Sequence, residues 1–122
     1  MTDLGSVSVV DDDASLRESL EALLRSVGFA VEVFASAEAF LKSDRLKSTR
    51  CLIVDIRMPG MNGLDLQREL TANRCAIPII FITAHGDAAR PHALERGAVD
   101  YLLKPFSEEA LLNAIHAAVG SN

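Results

Sequence analysis

Cys51-Leu52-Ile53-Val54-Asp55-Ile56-Arg57-Met58-Pro59-Gly60 is the stretch on which the reading of this chain turns. Four residues suited to a buried β-strand deliver a single carboxylate, and a Pro-Gly turn follows. A carboxylate at the end of an apolar strand must have its desolvation offset by a cation, hydrogen bonds or water. Stability alone gives little reason to place one there. Asp55 is therefore read as the reactive centre.

Length and composition set the frame. With 122 residues, 49% of them hydrophobic, the chain fits one compact domain with a real core, and residues 1–122 are read as a single domain. The charged fraction of 24% is ordinary for a folded protein. No apolar run approaches the ~20 residues that span a bilayer. Met1-Thr2-Asp3-Leu4-Gly5 lacks the basic and apolar regions of a signal peptide. The expectation is a cytoplasmic protein with no membrane partner. A net charge of −5 argues against direct nucleic-acid contact by this domain. Cys51 and Cys75 have neither zinc-ligand nor redox spacing, and are read as reduced structural thiols near the edge of the sheet away from Asp55.

Working outward, the remaining segments alternate. Val7–Val10 is a short apolar strand, ended by Asp11-Asp12-Asp13. Leu16, Leu20, Leu23, Leu24 and Val27 recur at helical spacing, and Gly28 stands where a helix stops. A second strand is expected over Phe29–Phe34, then a short helix capped by Ser36. Residues 42–50 are polar and basic, and read as a solvated loop. After Asp55 a helix is expected from Leu64 to about Asn73. Ile79–Thr83 is an apolar run without alternation, as for a strand covered on both faces. A short helix over Ala88–Arg96 has Pro91 in its first turn and Gly97 at its end. Val99–Leu103 is the fifth strand, and Ser107 caps a last helix with Glu108 and Glu109 at its positive end.

Regular strand–helix alternation predicts an α/β fold: a doubly wound (βα)5 architecture with a five-stranded parallel sheet. Right-handed crossovers and five repeats favour the flavodoxin-like strand order 2-1-3-4-5. Function in such a fold lies at the carboxyl ends of the strands, near the switch point between strands one and three. Those ends carry Asp11, Asp12, Asp13, Asp55, Thr83 and Lys104. Singly, each has a bland explanation as a helix cap, a strand end or a surface charge. Together they define a chemistry. Clustered carboxylates repel one another unless a divalent cation joins them, and Mg2+ favours one or two carboxylates, waters and a phosphate oxygen. Asp55 can then attack phosphorus as an oxygen nucleophile, with Lys104 and Thr83 stabilising the new phosphoryl oxygens.

Val9-Val10-Asp11-Asp12-Asp13, Ile53-Val54-Asp55-Ile56-Arg57-Met58-Pro59-Gly60, Phe81-Ile82-Thr83-Ala84-His85-Gly86 and Tyr101-Leu102-Leu103-Lys104-Pro105-Phe106 together resemble the receiver (response-regulator) domain of bacterial two-component systems, a CheY-like fold. His85-Gly86-Asp87 and Gly97-Ala98-Val99-Asp100-Tyr101 are most similar to the FixJ-like branch, whose members often carry a helix-turn-helix output domain. The resemblance implies a phosphorylation-activated switch in transcription regulation, with a sensor histidine kinase donating the phosphoryl group to Asp55. It implies no enzyme in the metabolic sense, since the domain catalyses only its own phosphoryl transfer and autodephosphorylation. It further implies Mg2+ held by Asp11, Asp12, Asp55 and the backbone carbonyl of Arg57, with Asp12 the more direct ligand of the first pair. Thr83 and Tyr101 become a switch pair, the hydroxyl moving to the phosphate as the ring turns inward. Lys104–Pro105 is expected to be cis, and Arg57 and His85 to tune the phosphoryl lifetime. The fourth helix, fifth strand and fifth helix would form the output face, commonly a homodimer surface. Between Thr83 and Lys104 the chain is slightly shorter than related receivers, with Pro91 where they have a freer helix former, so the fourth helix is expected to be short or shifted.

Other readings fit less well. A flavodoxin-like nucleotide binder needs glycines and hydroxyls after strand one, where three aspartates would repel phosphate. A haloacid-dehalogenase-type phosphatase has a second Asp two residues after its nucleophile, and Arg57 stands there. A receiver fold retained only for docking is the non-catalytic alternative, although every expected site residue is present.

Overall fold

Five short apolar strands form one parallel sheet in the order β2-β1-β3-β4-β5 in the computed structural model, which describes residues 6–84 and 98–119. The strands are β1 (Ser6–Val10), β2 (Ala30–Phe34), β3 (Cys51–Asp55), β4 (Ile79–Thr83) and β5 (Asp100–Leu103). The helices are α1 (Ala14–Ser26), α2 (Ala37–Lys42), α3 (Gly63–Ala72) and a C-terminal helix (Glu108–Val119). The helix expected over Ala88–Arg96, with Pro91 and Gly97, lies outside the described residues. Strand order and class are as the alternation predicts.

Alternation along the strands divides the core into two layers. Val7, Val9, Cys51, Ile53, Ile80 and Ile82 pack with Leu20 and Leu24 of α1 and Leu111 and Ile115 of the C-terminal helix. Val10, Leu52, Val54, Phe81 and Tyr101 face the other way, onto Phe40 of α2 and Leu66 and Leu70 of α3. β3 is buried along its whole length and pairs with β1 on one side and β4 on the other. It therefore brings Asp55 to the middle of the carboxyl edge.

Some boundaries move for identifiable reasons. β3 extends through Asp55, because that residue still pairs with Ile82. Phe29 does not begin β2; its N–H bonds the Leu24 carbonyl at 3.0 Å and closes α1. The loop after α2 is not wholly solvated. Thr49 is only 7% exposed, and its hydroxyl meets Ser8 Oγ at 2.7 Å and the Arg45 carbonyl at 2.7 Å. That buried hydroxyl pair holds the loop against β1, where Arg50 N–H also bonds the Ser6 carbonyl at 2.8 Å. Cys51 opens β3 at the edge opposite Asp55, and burial pushes its thiol up to about 12. Both cysteines are free.

Two helices end in the same motif with different residues at its critical position. In α1, Gly28 N–H bonds the Arg25 carbonyl and Phe29 N–H the Leu24 carbonyl, with Gly28 at φ +105°. In α3, Arg74 N–H bonds the Thr71 carbonyl and Cys75 N–H the Leu70 carbonyl, with Arg74 at φ +59°. Both are Schellman closures, which require a left-handed residue just past the cap. Glycine adopts that conformation freely, whereas an L side chain is strained there. Arg74→Gly should therefore raise stability by ~0.5–1 kcal/mol. Chemical denaturation should show a higher midpoint at unchanged slope, and a loss of stability would contradict this account of the cap.

Candidate functional site

Strand register brings the site together. Val10 pairs with Val54, so the next residues, Asp11 and Asp55, stand side by side. Asp55 pairs with Ile82, placing Thr83 one step further out, and Thr83 pairs with Leu103, placing Lys104 one step beyond that. Lys104 N–H bonds the Thr83 carbonyl at 2.7 Å, which fixes this stagger.

At the centre is a charge cluster. Carboxylate oxygens of Asp11, Asp12 and Asp55 all lie within 4.8 Å of one another. Lys104 Nζ reaches into it, 3.3 Å from Asp11 Oδ2 and 3.5 Å from Asp55 Oδ2. Asp11 is fully buried and the Asp55 side chain is 9% exposed, whereas Asp12 faces solvent. Burial raises the Asp55 carboxyl above the usual range and the Asp11 charge adds to this; Lys104 and the Arg57 N–H, 3.2 Å from Asp55 Oδ1, oppose it. Burial and repulsion outweigh the attraction. Three carboxylates and one ammonium leave two negative charges unbalanced, which suits a divalent cation. The residues present thus fit such an ion, with Asp12 as the open face of the cluster.

Asp13 does a different job. Its side chain accepts the Leu16 N–H and caps α1, and its own N–H bonds Asp11 Oδ1 at 2.8 Å. Thr83 is fully buried at the end of β4, and Tyr101 is 5% exposed in β5. Strand alternation puts Thr83 and Tyr101 on the sheet face that carries α3, opposite the face of Asp55. The Tyr101 ring is thus already inward in this structure. Lys104–Pro105 is a cis peptide, as the resemblance implies. Arg57 is exposed beside Asp55, and His85 lies outside the described residues.

The loop after Asp55 contains positions whose role only the fold discloses. A Cβ on Gly63 would stand 2.7 Å from the Asp55 carbonyl and 3.2 Å from the Phe81 ring, so any side chain would push α3 off β3. Asn62 and Asp65 form a capping box that starts α3 at this point. The spacing Asn62…Asp65 was a legible signal for that helix start, but the contact with Asp55 was not. Glu38 of α2 accepts the Met61 N–H at 3.1 Å, and its own backbone N–H and then that of Met61 hold its carboxyl below the usual range. Among the described residues no helix is long and apolar enough to cross a membrane.

The model of the response regulator receiver domain family matches residues 7–116. The response regulator protein TodT of Pseudomonas putida is 49% identical over 121 residues, covering 98% of this chain and 53% of TodT. The transcriptional regulatory protein FixJ of Bradyrhizobium diazoefficiens is 42% identical over 120 residues, covering 98% of this chain and 58% of FixJ. This chain therefore spans little more than half the length of these relatives. Among solved structures, the FixJ N-terminal domain superimposes with a TM-score of 0.87 at 40% identity, covering 100% of this chain and 98% of that one. The response regulator StyR gives a TM-score of 0.89 at 52% identity, covering 94% of this chain and 59% of StyR. The chain belongs to the response regulator receiver domain family, in its FixJ-like branch.

Proposed function

We propose that this chain is a phosphorylation-activated switch that accepts a phosphoryl group on Asp55 from a sensor histidine kinase. The observation that carries this reading is the Lys104 ammonium set between Asp11 and Asp55, with three carboxylates gathered around one accessible point. An Asp55 carboxylate oxygen attacks phosphorus as the phosphorus–nitrogen bond of the donor phosphohistidine breaks. The bond electrons leave with the imidazole, which takes up a proton, and Asp55 becomes an aspartyl phosphate. Asp11, Asp12, Asp55 and the Arg57 carbonyl would hold Mg2+, which when bound would supply positive charge for the phosphoryl oxygens. Lys104 supplies the chain's own donor in place, and the Thr83 hydroxyl supplies a second once it moves to the phosphate from the opposite face. Beside the cluster is a groove of about 450 Å³ lined by Asp13, Leu16, Lys104, Pro105 and Phe106, apolar enough for a protein donor to cover.

Thr83 and Tyr101 share one face of the sheet, which supports their reading as a switch pair. The message then passes to the output face expected from the sequence, the fourth helix, β5 and the C-terminal helix, of which the fourth helix lies outside the described residues, and commonly leads to dimerisation. Arg57, exposed beside the phosphoryl position, tunes its lifetime, and His85 is assigned the same role from the sequence. In a transcriptional regulator of the FixJ kind, this domain would control an output domain without itself touching DNA. Two free thiols suit a cytoplasmic setting.

Asp55→Asn should abolish Mg2+-dependent labelling by acetyl phosphate, read by intact mass; stoichiometric labelling that persists would sink the assignment. Loading with beryllofluoride should alter hydrogen exchange around Tyr101, and identical exchange with and without it would point to a docking module instead. The raised Asp55 carboxyl also has a consequence for stability. A carboxyl raised on folding binds more protons in the native state, so stability falls as pH rises through the window between its unfolded and folded values. In chelator, Asp55→Asn should therefore unfold at a higher temperature than the parent at neutral pH. The advantage should vanish below the ordinary carboxylate range. Thermal unfolding across pH measures this, and equal melting at neutral pH would contradict an Asp55 carboxyl raised by burial and by the Asp11 charge.

A further inference from the structure

Arg17 lies on α1 with its guanidinium turned back toward the sheet, Nη1 2.7 Å from the backbone carbonyl of Asp11. The other polar atoms of Asp11 are also engaged. Its N–H bonds the Phe34 carbonyl at 3.1 Å, Oδ1 accepts from Asp13 N–H at 2.8 Å, and Oδ2 faces Lys104 at 3.3 Å. Asp11 is thus fixed from every side. Asp12 is not. Its carboxylate is exposed, and among the described residues no hydrogen bond holds it. Its direction is set through the backbone, by the peptide plane joining Asp11 to Asp12, and the oxygen of that plane is the one Arg17 grips.

We infer that Arg17 is a positioning residue for divalent-cation binding: by fixing the Asp11–Asp12 peptide plane it aims the Asp12 carboxylate at the point shared with Asp11 and Asp55. The inference rests on the cation-dependent phosphoacceptor reading above. A charged donor on a backbone carbonyl makes a stronger hydrogen bond than a neutral one, which suits it to locking a plane. A residue that orients a ligand without touching the metal commonly accounts for 10–100-fold in affinity.

Arg17 makes an unusual test possible, because its two physical effects have opposite signs. Its positive charge lies near the cation position and repels a cation, so as a charge alone its removal should tighten binding. As a positioning residue its removal should weaken binding. Mg2+ affinity should be measured by calorimetric titration, and by amide NMR shifts of Asp12 and Asp55, on the parent, Arg17→Ala and Arg17→Lys. Positioning predicts a loss of about tenfold in Arg17→Ala and a smaller loss in Arg17→Lys, which keeps a cationic donor. Unchanged or tighter binding by Arg17→Ala, with thermal unfolding confirming a folded protein, would overturn the inference. If Arg17→Ala does not fold, Arg17→Lys carries the test, and parental affinity in it would overturn the inference. A parent that binds no Mg2+ at millimolar concentration would instead overturn the functional reading beneath it.

Discussion

Three carboxylates and one ammonium share the carboxyl edge of this sheet, and the arrangement of the site follows from that imbalance. Asp11 has no exposed surface, and Lys104, 93 residues away in sequence, reaches it from the end of β5. In an apolar interior such a pair is weak evidence for stability, because desolvation consumes much of the Coulombic gain. Here the attraction does not offset burial and the Asp11 repulsion together, since Asp55 remains harder to ionise than a free carboxyl. The cluster is better understood as a preorganised deficit of positive charge.

The rest of the molecule makes that deficit tolerable. Leu52, Ile53, Val54, Ile80, Phe81 and Ile82 have no exposed surface, and they join two hydrophobic layers across β3 and β4. The edge of the sheet away from the site is closed by neutral contacts, among them the Ser8–Thr49 hydroxyl pair and the Schellman closures of α1 and α3. Stability is concentrated in the centre and at that edge, and the cost is carried at the other. Such a division is common where function requires groups that do not favour the folded state.

Around the cluster, rigidity is unequal. Asp11 is held at every polar atom, and Asp55 lies within β3 with Gly63 packed against its carbonyl. Glu38 ties the loop after Asp55 to α2 at Met61. Asp12 and Arg57, by contrast, face solvent. Thr83 and Tyr101 stand on the opposite face of the sheet, the side that carries α3.

The sequence by itself determined the fold class, because Ile79–Thr83 is too continuous in its apolar character for a half-exposed strand and helical spacing follows each strand. It also determined which chemical groups stand at the strand ends, since Asp11, Asp55, Thr83 and Lys104 each terminate or follow an apolar run. Those readings rest on local periodicity, which one chain segment carries alone. Only the tertiary structure decided how the groups meet. The stagger that sets Thr83 and Lys104 successively beyond Asp55 is a property of strand pairing, and no segment contains it. Arg17 and Gly63 were equally illegible: one reads as an ordinary polar helix residue and the other as a loop end. Their roles depend on the Asp11 and Asp55 carbonyls, which folding alone brings to them. The acidic run 11–13 was divided only by geometry, into a buried anchor, an exposed arm and a helix cap, because the backbone turns between them.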